Sequence, residues 1–517
     1  MVGTSRKVAH IKQDRLVFIM IPPSKSHPST QQAPTSKKAD ALNEFAPRAK
    51  ITGTLMFLAG AFITAVTLHG DEPSDIAHYA AIGIGLSLMA SMFADLQAGF
   101  LNLIRPDLMA FISLYFLTLF EFLFKQEAFN AMAGIYYVQK AIIACIVAFC
   151  GLVIGRHLPN IRKHPLKQVF FTPIPSSFLI FAFVAFIFIG SLHMLLAVNF
   201  NPFLIYENLI GPRFAQPWGR ERFGDWKALL VELSMLFYLI PPIAGIVIAR
   251  RSKYSGIQLT IVGTGLIMVL FYGFSGGTRN VFISYLVTFL IAYAFALPSV
   301  RKKELIVLSG ICAILVVAST VIMLQFREYG LKTYVEGGYE YYTESEKGES
   351  FSVDFNLASI SRLIEVFPIQ HKYLGWEVPY LAIIRPIPRA MWPGKPEGMS
   401  LSIEDALGVD GMTISTTFVG EAYICGGMIV VFLTGLIFGF ITGWWGHFAS
   451  PHNSELGILI YSSGFFSAVI SMRSLYVFTT ALLPTLLSIA FGYALVIMLQ
   501  PKNRRIPMAV PAPKRKP

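Results

Sequence analysis

Arginines in short polar connections are the residues of this chain whose types and spacing could do chemistry. Ser275-Gly276-Gly277-Thr278-Arg279 separates two long apolar runs. Two glycines permit a tight reversal with backbone N–H groups turned outward, and Thr278 can cap the helix that follows. A helix N-terminus beside an arginine suits phosphate oxygens, although a plain hairpin whose Arg279 lies among lipid headgroups explains the same residues. Further on, Arg385-Pro386-Ile387-Pro388-Arg389-Ala390-Met391-Trp392-Pro393-Gly394-Lys395-Pro396 sets two arginines and a lysine among prolines. Proline fixes φ and withholds an N–H, so this stretch is predicted to run extended and stiff, holding its cations ready for a doubly charged diphosphate. Trp392 offers a flat face to a sugar or an apolar surface. The blander reading is a Pro-rich loop whose cations meet anionic headgroups. Arg327, Arg362, Arg473 and the trio Arg213, Arg220 and Arg222 stand in similar connections. Glu421 follows Gly420 at the start of an apolar run, where a carboxylate must pair or serve as a base.

The elements that position these residues are membrane helices. With 54% hydrophobic and 14% charged residues over 517 positions, the chain carries more apolar surface than a soluble core could bury. The apolar residues fall into runs of about 20, the length of a helical span, and not into the alternating ten-residue segments of a barrel. The runs are Ile51 to His69, Ile76 to Asp95, Asp107 to Phe124, Ile135 to Gly155, Ser177 to Val198, Ala228 to Ala249, Ile257 to Ser275, Val281 to Leu297, Leu305 to Leu324, Thr417 to Trp444, Leu456 to Ile470 and Leu475 to Leu499. The tenth holds glycines that can tilt or break it. The expected fold is therefore all-α, a polytopic bundle of about twelve spans. Residues 1–50 form a polar tail, 51–324 the first nine spans, 325–415 a large loop, 416–499 the last three spans and 500–517 a basic tail.

The net charge of +12 gathers at the ends of apolar runs and does not form a basic domain, which argues against a nucleic-acid partner. Arg105, then Arg156, Arg162, Lys163 and Lys167, then Arg250, Arg251 and Lys253, then Arg301, Lys302 and Lys303 alternate with poorer connections, on the side of both tails. By the positive-inside bias that side is the cytoplasm. The large loop and the arginines described first then lie outside, where topology alone would not have put them. Cys145, Cys150, Cys312 and Cys425 sit within apolar runs and read as small packing residues. The acidic stretch from Tyr339 to Glu349 reads as a solvated flap.

Ser-Gly-Gly-Thr-Arg at 275–279, Phe326-Arg327-Glu328, the Pro-Arg-x-x-Trp-Pro-x-Lys-Pro stretch and Gly420-Glu421-Ala422-Tyr423 ahead of a glycine pair resemble bacterial oligosaccharide repeat-unit polymerases of the Wzy type. The resemblance runs from about Ser177 to the end. It implies a glycosyltransferase-C or O-antigen ligase-like architecture in the bacterial inner membrane, both termini cytoplasmic and the large loop periplasmic. The implied substrate is undecaprenyl-diphosphate-linked oligosaccharide, polymerised into O-antigen or exopolysaccharide with no metal or other cofactor and with a possible Wzz-like chain-length regulator as partner. Carried onto this sequence, Arg279, Arg389 and Glu421 become the catalytic candidates. Arg327, Arg385, Lys395 and Thr278 would hold the diphosphate, and Trp392 the sugar. Fixed cations of this kind stabilise a departing diphosphate more in the transition state than in the ground state. Two other readings use the same outward cations: an O-antigen ligase, and a transporter of polysaccharide or lipid-linked oligosaccharide, which predicts ionisable groups deep within the spans. Glu121, Lys140 and Glu232 are the few such groups visible in the sequence.

Overall fold

The computed structural model describes residues 49–159, 167–212, 215–218, 227–277, 279–298, 301–326, 330–337, 356–389, 391–396, 398–407, 415–450 and 453–499. Among them every regular element is helical, as lipid requires, because a helix satisfies its own backbone groups where no water can. Nine helices among the described residues are long and apolar enough to cross a membrane. The chain is a multi-pass membrane protein.

The helices used below are α1 (Ile51–Val66), α2 (Pro73–Leu96), α3 (Pro106–Thr118), α4 (Ile135–Gly155), α5 (Ser176–Ala197), α6 (Ile240–Ala249), α7 (Gly256–Ser275), α8 (Arg279–Ala296) and α9 (Lys302–Phe326). The loop helices α10 (Asn356–Val366) and α11 (Glu377–Ile384) precede α12 (Thr417–Gly446), α13 (Glu455–Arg473) and α14 (Phe478–Leu499). Their starts carry the expected chemistry. Pro73 and Pro106 open α2 and α3, Ser255 and Gln258 form a capping box on α7, and the Ser454 hydroxyl accepts from Gly457 N–H on α13.

Two expected spans come out shorter as helices. The first is a helix of 16 residues and the third one of 13, followed by a 3-10 turn over Phe120–Leu123. At about 1.5 Å per residue both fall short of a hydrocarbon core of about 30 Å. The sixth, Leu230–Ala249, is one of the nine long apolar helices, although Leu233–Leu239 within it is 3-10 and Pro241 and Pro242 open its α-helical part. Glu121 and Glu232 thereby fall at helix ends and not at mid-span.

Two hydrophobic cores hold the bundle, one built chiefly from α1 to α4, α10 and the start of α12, the other from α5 to α9, α13 and α14. The tightest seam joins α4 to α12. A Cβ at Gly439 would lie 2.2 Å from Leu152 O, one at Gly155 2.2 Å from Leu436 O and one at Gly443 2.6 Å from Arg156 O. Small residues spaced by four let the two backbones touch, the usual device for helix association in lipid.

The polar ends of the bundle differ. Arg105 and Arg156 meet at one end through Asp107, and His447 at the close of α12 borders the same place. Seven residues beyond Phe448, Glu455 holds Arg250 and Lys253, and Arg301 donates to Ala249 O at 2.8 Å. The basic connections thus gather at one end, called the basic end below. The other end carries Glu72 and Asp75 beside Lys125, and it carries the loop helices. There Asn356 donates to Leu117 O and Arg362 to Met132 O, which seats α10 on the ends of α3 and α4. Leu357, Ile360, Leu363 and Ile364 of α10 are buried, so this part of the large loop is packed structure.

Candidate functional site

Glu421 lies in the first half of α12, which is two helices in one. Gly426 has φ 175° and ψ 32°, and Gly427 has φ 72° and ψ −158°, a break that the glycine pair permits. The carbonyls of Ile424 and Cys425 freed by the break accept from Leu374 and Gly375 N–H at 2.8 and 3.1 Å. The large loop therefore plugs the break, and the Tyr373 and Tyr423 rings meet edge to face beside it, 6.0 Å apart.

The Glu421 side chain is 8% exposed, and its two oxygens accept from Ser474 Oγ at 2.6 Å and from Tyr476 N–H at 3.0 Å. It fixes the short connection between α13 and α14. That connection presents the Tyr476 ring to Arg385, whose guanidinium carbon stands 4.1 Å from the ring centroid. Planar guanidinium on an aromatic face holds the charge in place. Beside it, Thr479 in the first turn of α14 donates to Ala382 O of α11. Ser474 and Tyr476 were not among the sequence candidates. Their signal was slight: Ser474 falls in the four-residue gap between the last two apolar runs, and Tyr476 at the start of the run that follows.

The stretch from Arg385 to Pro396 is not extended. Ile387 N–H bonds to Ile384 O, Met391 and Trp392 N–H to Pro388 O, and Lys395 N–H to Trp392 O, so the chain runs as successive turns. Proline withholds a donor yet keeps its carbonyl, and its fixed φ suits the second position of a turn. Lys395 Nζ donates to Arg385 O and Ile387 O at 2.8 and 2.9 Å, and Arg389 Nη1 to Lys395 O at 3.3 Å. Both cations staple the turns from which they were expected to reach a diphosphate. Arg389 remains exposed, and Trp392 is half-buried against the same turns.

One face of this segment is apolar and uncovered. Trp376, Tyr380 and Ile383 recur at helical spacing along α11, and Ile387 and Met391 follow in the turns, with Trp376 82%, Ile383 66% and Met391 73% exposed. Val378, Leu381, Ala382 and Ile384 on the other face are buried.

The Gly276-Gly277 turn also departs from expectation. Gly277 has φ 60°, which favours glycine, but both N–H groups turn back: Gly276 donates to Tyr272 O and Gly277 to Phe274 O. The end of α7 has orphan carbonyls of its own, and it takes these donors first. Arg279 opens α8, which runs antiparallel to α13, since Phe295 meets Tyr461 near the basic end and the Tyr238 ring touches both Tyr285 and Phe466 further along. Counting about 1.5 Å per residue from those contacts puts Arg279 and Arg473 at similar depth at the loop-bearing end. Glu421, Arg385, Arg389 and Lys395 form one connected array; Arg279 belongs to the second core, across α13. Thr278, Arg327, Arg213, Arg220, Arg222, the 339–349 stretch and the tail residues 1–48 and 500–517 lie outside the described residues.

Among the described residues no three His, Cys, Asp or Glu side chains are grouped so as to hold a metal ion. No family model matches the chain, nor does any curated protein or solved structure.

Proposed function

We propose that the chain polymerises undecaprenyl-diphosphate-linked oligosaccharide repeat units at the periplasmic face of a bacterial inner membrane. The observation that carries this reading is the fixed guanidinium of Arg385, beside an exposed apolar stripe, where α11 meets the first turn of α14. A lipid-borne diphosphate presents an anion and a hydrocarbon chain at such a boundary. In this reading the carbohydrate leaves its lipid diphosphate for a hydroxyl of the next unit, and Arg385, with Arg389 and Arg279 at the same end, stabilises the charge that develops on the departing diphosphate. Glu421 positions Arg385 through Tyr476, and Lys395 keeps the turn that carries both arginines. In this reading the nine long apolar helices, the shorter α1 and α3 and helix α9 count toward twelve spans, with both termini at the basic end.

The test uses cells that make lipid-linked repeat units but lack their polymerase. Wild-type protein is expected to restore long glycan, and Arg385→Ala to leave single units at equal protein level. Long glycan from Arg385→Ala would remove the site.

A transporter reading draws support from a different observation, the discontinuity of α12, because broken helices build many transport sites. It predicts movement of lipid-linked units across the membrane with no growth in glycan length.

A further inference from the structure

Far from the loop-bearing end, a cavity of about 100 Å³ opens at the basic end, bordered by Arg105, Asp107, Arg156, His157, Gly446 and His447. The two arginines are 1% and 4% exposed. Their carboxylate partners are already engaged. Asp95 accepts from Lys50 N–H at 2.8 Å and from Arg105 Nη2 at 2.7 Å, and Asp107 accepts from Arg105 Nε at 2.9 Å and Nη2 at 3.0 Å. Arg156 Nη2 donates to Thr54 Oγ1 at 2.6 Å, and its Nη1 stands 3.6 Å from Asp107. What remains is donors: Arg105 Nη1 and Arg156 Nε are buried without an acceptor. Buried guanidinium N–H groups are costly to leave unmade, and both residues border the cavity, so an acceptor with several oxygens seated there would complement their charge.

We propose that this cavity binds a phosphate group, held by Arg105 and Arg156. The space exceeds by several-fold the roughly 10–15 Å³ that one water needs. The seam of glycines borders it: Gly443 lies against Arg156 backbone, and a Cβ on Gly446 would stand 4.0 Å from Asp107 Oδ1, which borders the cavity, and from Pro106 Cδ. The phosphate can be inorganic or the headgroup of a lipid, since the site lies at the end of the bundle. It is separate from the diphosphate of the proposed reaction, which belongs at the opposite end.

The test measures the thermal unfolding midpoint of the purified full-length protein in neutral detergent. One arm titrates inorganic phosphate against chloride at matched ionic strength. The other compares dioctanoyl phosphatidic acid with dioctanoyl glycerol, which has the same tails and no phosphate. A saturable rise of at least about 2 °C is expected in one arm or both, and the responding arm names the source. Gly446→Val, which fills the cavity, is expected to abolish the rise. If that variant does not assemble, Gly446→Ala is expected to raise the half-saturating concentration several-fold. No rise in either arm, or an undiminished response in the Gly446 variants, overturns the proposal.

Discussion

Arg385 is the residue on which the proposed site turns, and its environment makes separable predictions. Arg385→Lys keeps the charge but loses the planar contact with Tyr476, so glycan extension is expected to fall on the order of 10²-fold. Tyr476→Leu removes the platform and should weaken extension in the same direction, while Tyr476→Phe keeps the ring and should stay near wild type. Glu421 is expected to act as a positioning residue, because both its oxygens are engaged by Ser474 and Tyr476. Glu421→Gln leaves one donor unmatched at a cost of about 1–3 kcal/mol, lowering the unfolding midpoint and the activity together without moving the pH profile of extension. A shifted profile with an unchanged midpoint would instead make Glu421 the base. At the basic end, burial and the adjacent Arg156 guanidinium hold the His157 imidazole below its usual range. The neutral form is therefore favoured in the fold. Its contribution to stability is complete above the unfolded value of about 6.5 and is lost as pH falls through the lower folded value. His157→Gln should flatten the dependence of the midpoint on pH over that window; an unchanged slope would assign it elsewhere. Thr54, Arg105, Asp95 and Asp107 surround the same ring and set the background against which the slope is read.

At the scale of elements, the seam between α4 and α12 positions the basic end, and the break in α12 positions the loop-bearing end. Gly439→Leu would drive a side chain into Leu152 O and is expected to destabilise by about 1–3 kcal/mol or more, read as a lower unfolding midpoint. Gly427→Ala adds a Cβ at φ 72° and should cost roughly 1–2 kcal/mol. The apolar runs were legible in the sequence because lipid demands continuous hydrophobicity, and the α12 break was legible in its glycine pair. Helix ends were not: Leu108 to Phe124 is one mainly apolar run interrupted only by Ser113, Thr118 and Glu121, yet Leu119 leaves the helix and the chain continues as a 3-10 turn. The Pro-rich stretch misled because proline content fixes φ without saying which carbonyls accept, and the cations meant for a ligand were needed by Arg385 O and Ile387 O. Arg105 and Arg156 read as topological charges, since nothing in their spacing shows that Asp95 and Asp107 meet them in a buried cluster. The contact of Glu421 with Ser474 and Tyr476 spans more than fifty residues, a distance that local pattern does not cross.

At the scale of the whole molecule, the two ends of the bundle have different chemistry. One gathers arginines around carboxylates inside the protein, and the other holds Arg385, Arg389 and exposed apolar residues on and beside α11. That asymmetry is the reason for placing the reaction at the loop-bearing end and a regulatory or structural phosphate at the other. It also separates the polymerase from its rivals by product: a ligase adds a finished glycan once to a different acceptor, and a transporter lengthens nothing. The most direct measurement incubates the purified full-length protein, reconstituted in vesicles, with lipid-diphosphate-linked oligosaccharide and resolves the glycans by size. The proposed function predicts a ladder rising by one repeat unit per step from wild-type protein, absent with Arg385→Ala. Glycans that stay at one unit with wild-type protein, while labelled substrate crosses the vesicle membrane, would contradict it.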